Sequence, residues 1–103
     1  MSVIEVKKDN FQKEVIESEK PVLADFNANW CGPCQMLKPI FHEMAETNDK
    51  VKFVSINIDE EPELAMKYNV SSIPCLVMLD KGAETKRSVG FIPQDAIEEF
   101  IGR

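Results

Sequence analysis

The 103-residue sequence predicts an α/β protein in which helices cover both faces of a central mixed β-sheet. Short runs rich in apolar and β-branched residues alternate with segments of helical periodicity. The chain also has the length of one compact domain, and its hydrophobic content of 44% suits a soluble globular protein. We therefore expect a single domain over residues 1–103 with the element order β-α-β-α-β-α-β-β-α.

The first half of the chain predicts two strands and two helices. Val3–Val6 is a short β-branched run, which is typical of an edge strand. A helix is expected over Asn10–Glu17, where Asp9 is the candidate N-cap residue. Val22–Phe26 is dense enough in apolar side chains to form a central strand that is buried on both faces. A second helix is expected over Cys34–Ala45, where apolar residues recur at helical spacing.

The second half predicts three strands and two helices. Val51–Asp59 alternates and is rich in β-forming residues, so it is a second central strand. Pro62 suits the first turn of a helix that ends near Tyr68. Cys75–Leu79 and Glu84–Val89 flank a glycine-containing turn, which predicts an antiparallel hairpin. Pro93 is expected to open a final amphipathic helix after this hairpin.

The charge and the apolar pattern exclude several functional classes. Twelve basic and eighteen acidic residues give a net charge of −6, which opposes binding to nucleic acid. The N-terminal residues lack the apolar core of a signal peptide, and no apolar run has the length of a membrane span. We therefore expect a cytoplasmic protein that binds neither nucleic acid nor membranes. In that reducing compartment, cysteine thiols remain reduced unless they take part in a redox reaction.

The sequence Cys31-Gly32-Pro33-Cys34 follows a predicted buried strand and opens a predicted helix. A two-residue spacer at a helix start keeps the two α-carbons within the roughly 7 Å that a disulfide requires. The positive end of the helix favours a thiolate at the first cysteine, and the thiolate is the species that attacks a disulfide. We therefore expect Cys31 to be the nucleophile and Cys34, one turn into the helix, to be the resolving cysteine.

Half of a zinc site is the alternative interpretation of this cysteine pair. Completing four ligands would require Cys75 and the single histidine, His42. His42 lies eight residues beyond Cys34 on the same predicted helix, which is ~12 Å along its axis. A redox pair is therefore favoured, and we expect neither a metal nor a bound cofactor.

Several motifs, taken in order and spacing over nearly the whole chain, resemble the thioredoxin family. The matching positions are Asp25-Phe26 with Ala28, Trp30-Cys31-Gly32-Pro33-Cys34, Pro39-Ile40, Asn57-Ile58-Asp59, Ile73-Pro74 and Gly90. The resemblance implies a thioredoxin fold and a general protein-disulfide reductase that works by thiol–disulfide exchange. It also implies a thioredoxin reductase as the source of electrons. The alternative is a redox-inactive binding or stabilising subunit with the same fold.

The resemblance also implies roles for residues around the cysteine pair. Asp25 matches an acid that accepts and donates the proton of the second cysteine, and its burial should raise its pKa. Pro74 matches a cis-proline that leaves the backbone of Ile73 free to pair with an extended substrate. A structural acid and an ordinary trans proline are the alternatives. We expect a monomer whose disulfide-containing protein substrates dock on an apolar patch around the exposed sulfur. That patch comprises Trp30, Gly32, Pro33, Ile73, Pro74 and Gly90.

Four positions depart from the usual family pattern. Asn27 stands where a tryptophan is usual, and Gln35 replaces a lysine after the second cysteine. Ser55 stands where a lysine often pairs with the buried acid, so the protonated form of Asp25 should be favoured further. Cys75 directly follows the expected cis-proline. It is either a small buried hydrophobe or an accessory thiol that is sensitive to oxidation.

Overall fold

The computed structural model describes residues 2–102 and contains a five-stranded β-sheet. Its strands are β1 (Ile4–Glu5), β2 (Val22–Asn27), β3 (Lys52–Asn57), β4 (Cys75–Asp80) and β5 (Ala83–Val89). Their order across the sheet is β1-β3-β2-β4-β5, so β1 is an edge strand and β2 is central, as predicted. The first three strands are mutually parallel, while β4 runs antiparallel to both β2 and β5. The predicted mixed sheet is confirmed.

The helices are a short segment over Gln12–Ile16, α1 (Gly32–Thr47), α2 (Pro62–Lys67) and α3 (Gln94–Ile101). The observed element order therefore matches the predicted order throughout. No helix within residues 2–102 combines the length and apolar character needed to span a bilayer. The prediction of a single domain over residues 1–103 stays a prediction, and its two terminal residues lie outside the described part of the chain.

The short first helix differs from its prediction in two ways. It is π-type, because the backbone N–H of Glu17 donates to the carbonyl of Gln12, five residues earlier, at 2.9 Å. It also has no side-chain N-cap, so the prediction that Asp9 caps it is wrong. Asn10 instead accepts a hydrogen bond from the backbone N–H of Lys7 at 2.6 Å. This bond closes the turn that precedes the helix, which starts at Gln12 and not at Asn10 as predicted.

Two apolar clusters lie on the two faces of the sheet. One packs the short helix and α2 against side chains such as Phe26, and the other packs α1 and α3 around Phe41 and Ile97. Successive side chains of a strand project to opposite faces. Leu23 belongs to the α1 cluster, so Asp25, two residues further along β2, faces α1 as well. The fold thus places a carboxyl group under the helix that begins with the cysteine pair.

Candidate active site

Cys31 and Cys34 form a disulfide at the N-terminus of α1. Their α-carbons are 5.2 Å apart, within the range that the two-residue spacer predicts. Cys31 is the N-cap residue of the helix, and the backbone N–H of Cys34 donates to its Sγ at 3.2 Å. Once the disulfide is reduced, negative charge on the Cys31 sulfur meets this donor and the positive end of the helix. Both favour the thiolate form of Cys31.

The two sulfur-bearing residues differ in what surrounds them. Cys31 is 5% exposed and Cys34 is 2% exposed, but Gly32 and Pro33 between them are exposed. The Sγ atom of Cys31 lies 3.9 Å from the carbonyl oxygen of Ile73. The expectation of an exposed sulfur is therefore wrong: Cys31 is buried against the neighbouring loop, and Cys34 is slightly more buried still.

The loop opposite the cysteine pair contains the expected proline. The peptide bond between Ile73 and Pro74 is cis, and Pro74 itself is buried. The carbonyl of Pro74 accepts a hydrogen bond from the backbone N–H of Gly90 at 2.8 Å. Gly90 has a φ of +97°, a conformation that glycine adopts without the cost that a side chain brings. The fold thus brings Ile73, Pro74 and Gly90 together beside Cys31.

Trp30 lies at the surface and is 70% exposed. Its indole N–H donates to a carboxylate oxygen of Asp59 at 2.8 Å. Sequence reasoning gave Asp59 no role. Its position in the chain could have indicated a role, because Asp59 follows β3 closely. The parallel strand β2 ends at the same edge of the sheet and leads to the cysteine pair.

Asp25 is a buried acid with unusual surroundings. It is 4% exposed, and within residues 2–102 its buried Oδ1 atom has no hydrogen-bond partner. Burial raises the pKa of Asp25 to about 7, and the negative charge of Glu5 adds to the rise. The predicted direction of the pKa shift is therefore confirmed. An acid with this pKa takes up and releases protons near neutral pH.

Comparison with known proteins agrees with this arrangement. A family model described as thioredoxin matches residues 2–103. A thioredoxin of Bacillus subtilis (strain 168) is 43% identical over 100% of this chain and 98% of that protein. A thioredoxin of Porphyra purpurea is 38% identical over 100% of this chain and 97% of its own length. One of Rickettsia felis is 40% identical over 91% of this chain and 90% of its own.

The chain belongs to the thioredoxin family. Its mixed sheet with flanking helices is a thioredoxin fold, as predicted. Family membership and a cysteine pair at disulfide distance make it a thiol–disulfide reductase, which confirms the predicted enzyme class. Its substrates are accordingly disulfides.

A polar cavity of about 130 Å³ lies between the sheet and α1 of this thioredoxin-family fold. Asp25 and Cys34 both line it, so the buried acid and the second cysteine share one polar space. His42, two turns further along α1, lines the same cavity. The volume and the polar lining suffice for several water molecules, which can carry a proton between a carboxyl and a thiol.

Two departures from the thioredoxin pattern form one hydrogen-bonded pair. The side-chain amide of Asn27 donates to the hydroxyl oxygen of Ser55 at 2.9 Å and to the backbone carbonyl of Asp25 at 2.8 Å. Ser55 is also the direct neighbour of Asp25 in the register of β2 and β3. Sequence reasoning treated Asn27 and Ser55 separately, because only the strand register shows that they meet. The third departure, Gln35, donates to the backbone carbonyl of Asn29 at 3.3 Å.

Cys75 is free and 1% exposed. It belongs to the apolar cluster on the α2 face of the sheet, whereas Cys31 and Cys34 belong to a small separate cluster with Ala28. Burial raises the pKa of the Cys75 thiol, which keeps it protonated and unreactive. The structure therefore favours the small buried hydrophobe over the accessory thiol. Within residues 2–102, no group of three or more His, Cys, Asp or Glu side chains is arranged to hold a metal ion.

Proposed function

We propose that this chain is a general protein-disulfide reductase in which Cys31 attacks the substrate, Cys34 resolves the mixed disulfide and Asp25 moves the proton of Cys34. One observation carries the proposal. Cys34 lies between the capping sulfur of Cys31 on one side and the polar cavity of Asp25 on the other. Cys31 therefore lies next to a backbone N–H that stabilises its thiolate, and Cys34 shares a polar cavity with the acid that accepts its proton.

The first step is attack by the Cys31 thiolate on one sulfur of a substrate disulfide. A bond forms between the Cys31 sulfur and that substrate sulfur while the substrate S–S bond breaks. The leaving substrate thiolate takes a proton from solvent. The backbone N–H of Cys34, 3.2 Å from the Cys31 sulfur, and the positive end of α1 stabilise the attacking thiolate.

The second step releases the substrate. The Cys34 thiol gives its proton to the Asp25 carboxylate through the polar cavity, and the resulting thiolate attacks the Cys31 sulfur. The Cys31–Cys34 bond forms, the mixed disulfide breaks, and the second substrate thiolate leaves. A pKa of about 7 suits Asp25 for this role, because at neutral pH much of it is ionised and its affinity for a proton is high.

The substrate docks on the predicted patch around the pair. Trp30, Gly32 and Pro33 are exposed there, and the partly buried Ile73 and Gly90 continue the surface. An extended substrate segment pairs with the backbone of Ile73, whose carbonyl oxygen lies 3.9 Å from the Cys31 sulfur. Pro74 is buried, so it acts by holding this backbone in place and not as a contact surface.

The partners and the compartment belong to the same proposal. The chain works as a monomer in the cytoplasm, where a thioredoxin reductase returns electrons to the Cys31–Cys34 disulfide. The buried free thiol of Cys75 suits a reducing compartment. The net charge of −6 supports protein substrates over nucleic acid.

A trapping experiment with a protein disulfide substrate tests the assigned roles. Cys34→Ser should accumulate a covalent mixed disulfide through Cys31, whereas Cys31→Ser should capture no substrate. Asp25→Asn should still form the mixed disulfide but resolve it roughly tenfold to a hundredfold more slowly at pH 7 to 8. Equal trapping by both serine variants would contradict the division of roles between the cysteines. Resolution by Asp25→Asn at the wild-type rate would contradict the role of Asp25.

A further inference from the structure

Three neighbouring strands place Glu5, Ser55 and Asp25 in one row across the sheet. Glu5 pairs with Ser55 in the register of β1 and β3, and Ser55 pairs with Asp25 in the register of β3 and β2. Neighbouring strands are ~4.8 Å apart, so the backbones of the two acidic residues are separated by about 10 Å. Directly paired residues project from the same face, and only a small serine side chain lies between the two acids. The row runs from the buried centre of the sheet to its β1 edge.

The polar cavity follows this row. Glu5, Ser55 and Asp25 all line it, and Glu5 is exposed to solvent. At the inner end, Oδ1 of Asp25 is buried without a hydrogen-bond partner among residues 2–102. In the middle, the Ser55 hydroxyl oxygen accepts from Asn27 at 2.9 Å, which leaves the hydroxyl hydrogen available for another acceptor. Polar groups therefore continue from the buried carboxyl to the surface.

Other titratable groups also face the cavity. They are Cys34, Lys38 and His42 from α1, and Glu60 from the segment after β3. The Glu60 carboxylate lies 2.7 Å from the ammonium group of Lys7, which balances its charge. Among the ion pairs within residues 2–102, none involves Glu5, although its negative charge, after that of Glu60, also contributes to the raised pKa of Lys7. On the opposite face of the sheet, the nearby buried thiol of Cys75 is neutral.

The electrostatics agree with the geometry. Burial is the larger cause of the raised pKa of Asp25, and the Glu5 carboxylate is the charged group that adds to it. Because Glu5 is exposed, its effect passes partly through solvent and is open to screening by salt.

We propose that Glu5 is a positioning residue for proton transfer at the redox pair. Its negative charge, from the far side of Ser55, holds the proton on Asp25. The polar cavity then exchanges that proton with solvent. The inference rests on the proposed role of Asp25 as the base for Cys34. The proton leaves the Cys34 thiol, resides on the Asp25 carboxyl and passes through the cavity to water. No electrons move in this exchange.

The first test follows the Asp25 carboxyl directly by carbon-13 NMR titration of the reduced protein. If the charges are as far apart as the backbones, about 10 Å, an effective dielectric constant between 20 and 80 predicts that Glu5→Gln lowers the Asp25 midpoint by about 0.3 to 1.2 pH units. Glu5→Asp retains the negative charge, so its Asp25 midpoint should stay close to that of wild type. Glu46→Gln is the matched control, since Glu46 is exposed on α1 and does not line the cavity. In 1 M salt the difference between wild type and Glu5→Gln should shrink.

The second readout is the pH profile of mixed-disulfide resolution in the same variants, followed by stopped flow. In Glu5→Gln, the midpoint of this rate profile should fall by as much as the midpoint of the Asp25 titration. In Glu46→Gln, both midpoints should equal those of wild type. An unshifted Asp25 titration in Glu5→Gln would overturn the inference, while the role of Asp25 would stand or fall on Asp25→Asn. A shifted titration with an unshifted rate profile would instead overturn Asp25 as the base, and with it the catalytic part of the inference.

Discussion

The buried Asp25 should make the stability of the fold depend on pH, and Asp25→Asn should remove that dependence. The pKa of Asp25 rises from an ordinary value of 3.8 to about 7 on folding, so the native state holds one more proton than the unfolded chain between these values. This contribution to stability is complete below the unfolded pKa and is lost as pH rises through the folded pKa. A rise of about three units corresponds to about 4 kcal/mol.

Asparagine has the shape of the protonated carboxyl but never ionises. We therefore expect Asp25→Asn to be more stable than wild type by about 4 kcal/mol at pH 8.5 and by less than about 2 kcal/mol at pH 5. These figures are upper limits, because a compact unfolded chain already perturbs the acid.

Urea unfolding of the oxidised proteins, followed by circular dichroism from pH 5 to 8.5 at constant ionic strength, measures this difference. Asp49→Asn is the control, since Asp49 is an exposed acid outside the core. It should show no comparable gain at high pH. A constant difference between Asp25→Asn and wild type across the pH range would refute the reasoning. So would a variant that is less stable than wild type at pH 8.5.

Two further predictions concern residues beside the redox pair. Asp59→Asn replaces the charged acceptor of the Trp30 indole N–H by a neutral one, so kcat/KM for insulin reduction should fall about threefold. An unchanged kcat/KM would show that this hydrogen bond does not position Trp30. Because Cys75 is buried, the Cys75→Val variant should reduce insulin at a rate within about twofold of the wild-type rate. For the same reason, peptide mapping of wild type after mild peroxide treatment should find only the Cys31–Cys34 disulfide. Any disulfide that contains Cys75 would contradict its assignment as a buried hydrophobe.

The fold was predictable because its signals are local. Apolar and β-branched runs located the strands, and prolines marked the starts of helices: α2 begins at Pro62, and α3 begins directly after Pro93. Boundaries were less accurate. α1 starts at Gly32, two residues before the prediction, because the Cys31 sulfur caps it. Hydrophobic periodicity carries no signal that separates the π-type first helix from an α-helix.

The site was predictable where its residues are adjacent in sequence or stand out in a pattern. The cysteine pair is contiguous, and Asp25 is conspicuous as a carboxyl within an apolar strand. The contact between Asp59 and Trp30 and the position of Glu5 relative to Asp25 could not be predicted, because both depend on the arrangement of strands that lie far apart in the chain. A shift of one residue in the β1–β3 register would turn Glu5 away from Asp25.

The measurement that tests the central claim most directly is reduction of insulin disulfides by dithiothreitol, with wild type compared with Cys31→Ser and with the double variant Cys31→Ser, Cys34→Ser. All three proteins should first show the same folded circular dichroism spectrum. The account predicts catalysis by wild type that is lost in both variants. A folded wild type without catalysis, or variants that retain it, would contradict a reductase that works through this cysteine pair.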